Sequence, residues 1–104
     1  MTQYKVDFST LEWQTPMDGV RFKVFRDGDR QLRLVEYTPD MPPHWCEKGH
    51  HGYMLEGRFE ITYTDVTHIY EPGDGIFIPP SRAHRHLGKA LTPVARVVFV
   101  EDVG

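Results

Sequence analysis

His51-Gly52-Tyr53-Met54-Leu55-Glu56-Gly57-Arg58-Phe59-Glu60-Ile61-Thr62-Tyr63-Thr64 is the stretch whose pattern decides the fold class. Aromatic and aliphatic residues fill both sides of Glu56-Gly57. A glycine between two such runs supplies the left-handed position of a tight reversal, so the stretch predicts a hairpin with strands at 51–56 and 58–64. The same texture continues outward. Short alternating or β-branched runs predict further strands at 20–26, 31–38, 44–46, 66–70, 75–78, 84–87 and 95–101. Turn chemistry divides them: Asp27-Gly28-Asp29, the proline-rich 39–43, Pro72-Gly73-Asp74, Pro79-Pro80-Ser81 and Leu91-Thr92-Pro93. The only helical hint is residues 7–13, cut off by Pro16, which leaves room for a single turn. Eight or nine short strands with no helix between them predict an antiparallel all-β fold, a sandwich or a barrel.

A chain of 104 residues with 39% hydrophobic content is expected to form one domain, 1–104, around a single core. The net charge is −3 with acids and bases interspersed, so no basic stripe offers itself to nucleic acid. No apolar run approaches the ~20 residues that a membrane helix needs, and no signal-peptide core opens the chain. A single cysteine cannot form an intrachain disulfide. A cytoplasmic protein that binds neither membrane nor nucleic acid is the expectation.

Five of the six histidines fall into two clusters, His44/His50/His51 and His84/His86. Neutral imidazole is the commonest ligand for a transition metal, and ligands from separate strands are how a β-sheet protein converges on one ion. The clusters therefore propose a metal site.

The segments that carry these histidines resemble the paired signature of the cupin superfamily, small jelly-roll barrels. The first family motif runs G-x5-H-x-H-x3/4-E-x6-G and the second G-x5-P-x-G-x2-H-x3-N. In the second, Gly73, Pro79 and His84 keep their places, with Ser81 for glycine and Gly88 for asparagine. In the first, His44 matches the first histidine, Cys46 stands where the second belongs, and His50 stands where the glutamate belongs, seven residues before Gly57. Thr38 replaces the opening glycine. Cupins with histidine at the glutamate position form a recognised four-histidine variant.

The resemblance implies an antiparallel jelly-roll β-barrel over about residues 30–100, preceded by an N-terminal extension, 1–19. It implies a metal set of His44, Cys46, His50 and His84. Strand alternation then points His44 and Cys46 into the barrel together and turns Trp45 away. His86, two residues after His84, is expected in the surrounding shell or at the barrel rim. Three imidazoles and a thiolate suit a divalent transition metal, Zn, Fe or Ni. The implied activity is a metal-dependent enzyme acting on a small organic or sugar-acid-like substrate, of isomerase, lyase or dioxygenase type. The alternative is a metal-free module that binds a small ligand without catalysis, since Cys46 takes the place of an expected imidazole. A homodimer is implied by the same resemblance. Arg33, Val35 and Tyr37, or their opposite-parity neighbours, are expected to face the barrel interior.

Overall fold

The computed structural model describes residues 4–103. Among the described residues nine strands form: β1 Gln14–Met17, β2 Val20–Asp27, β3 Arg30–Tyr37, β4 His50–Glu56, β5 Phe59–Thr62, β6 Thr67–Tyr70, β7 Gly75–Ile78, β8 Leu87–Ala90 and β9 Ala95–Asp102. They form a six-stranded sheet, in the order β1-β2-β3-β9-β4-β7, that faces a three-stranded sheet, β6-β5-β8. Every pairing is antiparallel. This is the expected all-β jelly roll. Among the described residues no helix is long and apolar enough to cross a membrane.

The Glu56-Gly57 reversal joins β4 to β5, with Gly57 at φ 75°, as the hairpin reading requires. The helical hint reduces to one 3-10 turn, Phe8–Thr10, capped by the Asp7 carboxylate on the Ser9 backbone N–H. Two expectations change. Residues 44–46 form no strand: Cys46 makes only an isolated bridge with His86, because the prolines of 39–43 withhold the N–H groups that a ladder needs. Residues Arg82–His84 curl into a second 3-10 turn, so the following strand begins at Leu87. The six-stranded sheet also reaches into the expected extension, through β1.

Strand parity settles what faces inward. Val35 on β3, Met54 on β4 and Val97 on β9 are fully buried, joined by Ala95, Phe99, Phe59, Ile61, Ile76 and Ile78. Arg33 and Tyr37 share the face of Val35, which resolves the parity left open by the sequence. Val35, Met54, Ala95 and Val97 pack one end of the barrel shut. The other end stays open as a cavity of about 950 Å³.

Candidate metal centre

Cys46, His50 and His86 converge on the wall of that cavity, with one ligand atom of each within 4.8 Å of the others. The backbone explains why. Cys46 and His86 exchange both hydrogen bonds of an antiparallel bridge, Cys46 N–H to His86 O at 2.8 Å and His86 N–H to Cys46 O at 2.9 Å. The bridge holds the proline-rich segment against the chain that leaves the second 3-10 turn. His50 enters from the first residue of β4, which pairs with Ile78 of β7. Its Nε2 lies 3.8 Å from the Cys46 sulfur, and its ring meets the His86 ring edge-on at 5.3 Å. His86 is buried and its Nδ1 lies 3.1 Å from the His84 carbonyl, which leaves Nε2 for the centre.

A buried carboxylate stands behind His50. Nδ1 of His50 lies 2.8 Å from Glu101 Oε2. Glu101 also accepts two hydrogen bonds from Arg33, at 2.8 and 2.9 Å, and one from the Gln31 amide at 2.8 Å. Burial by itself would raise the Glu101 carboxyl, but the His50 and Arg33 hydrogen bonds outweigh it and hold the group at about 2. Burial would likewise lower His50, yet its hydrogen bonds to Cys46 and Glu101 raise it above the ordinary imidazole value. Hydrogen bonds from His50, then His86, bring the Cys46 thiol down to about 5 against the effect of burial. Cys46 thus presents a thiolate beside the His50 and His86 rings, a donor set that suits zinc or iron.

Of the four residues expected as ligands, Cys46 and His50 meet in this cluster. His44 lines the same cavity but is exposed, with Nδ1 3.0 Å from the Pro42 carbonyl. His84 is exposed and turned to a separate shallow cleft with His68, Tyr63, Tyr70 and Phe77. The 3-10 turn carries His84 off the barrel face, and His86 occupies the inward place instead. Glu101 escaped the sequence reading. Its one signal is the alternation Val97, Phe99, Glu101, which sets an acid on an otherwise apolar inward face.

The same topology recurs among known proteins. A sequence model described as the cupin domain matches residues 20–101. No curated protein sequence matches. Among solved structures, KdgF from Halomonas sp. is similar at a TM-score of 0.73 and 24% identity, over 92% of this chain and 91% of that one. The polyketide cyclase RemF from Streptomyces resistomycificus gives 0.77 and 24%, over 99% and 81%. A sugar phosphate isomerase of the cupin superfamily from Silicibacter pomeroyi gives 0.73 and 19%, over 92% and 73%. At these identities the neighbours speak for the fold. With the family match spanning nearly the whole barrel, the chain belongs to the cupin domain family.

Proposed function

We propose that this cupin is a metal-dependent enzyme acting on a small organic molecule, with Cys46, His50 and His86 holding a divalent transition-metal ion, Zn, Fe or Ni. The observation that carries the reading is the convergence of three donor atoms within 4.8 Å on the wall of a cavity large enough for a metabolite. A metal held there would act as a Lewis acid on a ligand oxygen or lower the pKa of a bound water. The residues around it have their own tasks. Glu101 fixes the His50 ring so that Nε2 faces the cluster, and the His84 carbonyl does the same for His86. His44 stands at the cavity wall as a further donor. Similar folds named as a polyketide cyclase, a sugar phosphate isomerase and a hydroxypropylphosphonic acid epoxidase support isomerase, lyase or oxygenase chemistry on small substrates.

Cobalt(II) titration of metal-free protein tests this. One equivalent per chain with a thiolate-to-cobalt absorption band is expected, lost in Cys46→Ser and His86→Ala and kept in His84→Ala. Absence of the band in the unsubstituted protein would favour the second reading, a metal-free binding module. One observation supports that reading: Cys46 and His50 already compensate each other's charge. Exposed Tyr53, Phe77 and Val100 on the outer face of the large sheet support a homodimer, which sedimentation equilibrium reads directly.

A further inference from the structure

The polar groups of the cavity are unevenly employed. Glu101 takes hydrogen bonds from Arg33, Gln31 and His50, the Gln31 carbonyl accepts from Arg26, and Arg30 pairs with Asp102. Each of these groups is already engaged with a protein partner. Tyr37 differs. It lines the cavity with its ring 4.5 Å from that of Phe59, and its hydroxyl makes no hydrogen bond with any described residue. Nor is that hydroxyl sealed in protein, since among the described residues no buried side-chain polar atom lacks a partner. It opens on the cavity as an unused donor.

Apolar side chains line much of the same wall, Phe22, Met41, Ile61, Ile76, Ile78 and Phe99, while the further polar lining residues His44, Glu47, Lys48 and His51 are exposed. Two glycines create the space in front of it. A Cβ at Gly88 would stand 2.5 Å from the Phe59 ring, and one at Gly52 would stand 2.6 Å from the Phe99 ring. Without those Cβ atoms both rings lie back against their sheets and leave the volume empty. Gly88 sits where the family motif carries asparagine, so a polar side chain is exchanged for an aromatic surface.

We propose that the cavity takes an aromatic or polycyclic apolar molecule bearing a single carboxylate, enolate or carbonyl oxygen, held by the Tyr37 hydroxyl, in preference to a polyhydroxylated sugar. The inference deepens the reading of this cavity as the substrate site. A sugar hydroxyl set against Phe22, Ile76, Ile78 or Phe99 would lose water and gain no partner there, whereas a ring system loses nothing there. A lone oxygen beside that apolar wall finds the Tyr37 hydroxyl as its donor. Burial pushes the Tyr37 hydroxyl up to about 12, so it keeps the proton that it donates.

Binding of 2-naphthoate, naphthalene and D-galacturonate to the full-length protein, followed by ligand-observed NMR and calorimetry, tests the proposal. Both carboxylates carry one negative charge, so they differ in body rather than anchor. In metal-free protein 2-naphthoate is expected to bind at least tenfold more tightly than galacturonate. Tyr37→Phe should weaken 2-naphthoate by about tenfold and leave naphthalene unchanged, as loss of one hydrogen bond to a charged group requires. Gly88→Ala, which drives Phe59 into the cavity, should weaken both aromatic probes; its thermal melt reports whether the fold survives. Galacturonate binding as tightly as 2-naphthoate, or no binding by 2-naphthoate, would overturn the proposal, as would an unaltered affinity in Tyr37→Phe. Cobalt titration of the same preparation reads the metal separately, so failure of one reading leaves the other standing.

Discussion

His50 and Glu101 face each other across β4 and β9, with Nδ1 and Oε2 2.8 Å apart. The register His51↔Val100 and Gly52↔Phe99 makes this pair the next rung, on the face turned to the cavity. On the other side of β9, Gln31 is opposite Glu101 and Arg33 reaches it diagonally with two hydrogen bonds. Three strands thus fix one carboxylate, and the carboxylate fixes the imidazole.

Replacing Glu101 by glutamine keeps the shape and removes the charge. Arg33 and His50 then lose their counter-charge in a place where the Arg33 side chain is only 17% exposed. Destabilisation of about 3 kcal/mol is expected, because a buried cation left without its partner cannot recover its hydration. Cobalt affinity should fall about 10- to 100-fold, the usual cost of removing the partner behind a ligating histidine. Urea denaturation and cobalt titration check the two effects. Unchanged cobalt affinity would mean that Glu101 does not orient His50.

The pH dependence has a defined sign. Glu101 is depressed from 4.5 to about 2, so its contribution is complete above 4.5 and is lost as pH falls through 2. His50 is raised, so its contribution is present below 6.5 and is lost as pH rises through its folded value. The stability gap between the metal-free protein and Glu101→Gln should therefore shrink steadily from about pH 4.5 down to about pH 2. Urea midpoints measured across that range decide it, and a constant gap would show that the carboxyl is not depressed.

Cys46 should behave as a thiolate. With its thiol at about 5 instead of 9.0, alkylation by iodoacetamide in metal-free protein should run at a nearly constant rate from about pH 6 to about pH 8. An ordinary thiol would gain about tenfold per pH unit in that window. Zinc should slow the reaction by masking the sulfur, and His50→Gln should restore the steep climb by removing the leading cause of the shift. A steep profile in the unsubstituted protein would contradict the pairing of Cys46 with His50.

Local chemistry made much of this fold readable. The β4–β5 hairpin follows from Gly57 and its neighbours, and the inward turn of His50 follows from its place beside Gly52 and Met54 on one strand. Cys46 was legible as a member of the cluster from motif spacing, although a lone bridge rather than a strand positions it. What stayed hidden was non-local or sterically subtle. Alternation carries His84 inward only if residues 84–87 are extended. With Arg82–His84 curled, the inward place falls two residues later, at His86. Glu101 lies 51 residues from His50, and their meeting depends on the β4–β9 register, which no local pattern encodes.

A second buried carboxylate allows a contrast with Glu101. Glu36 lies on the outer face of the large sheet, where Arg21 of β2 and Arg96 of β9 hydrogen-bond it from both neighbouring strands. Burial by itself would raise its carboxyl, and the two arginines hold it below the ordinary value instead. These arginines are far more exposed than Arg33, at 49% and 34%, and Arg96 also reaches Glu56. Once Glu36 is gone, water and Glu56 can take over their charges. Glu36→Gln is therefore expected to cost only about 1 kcal/mol, roughly 5 °C in Tm for a chain of this size. Cobalt affinity should not change, because Glu36 faces away from Cys46, His50 and His86. Calorimetric melts of the two glutamine variants should rank Glu101→Gln well below Glu36→Gln. The reverse order would mean that charge burial does not set the cost at these sites.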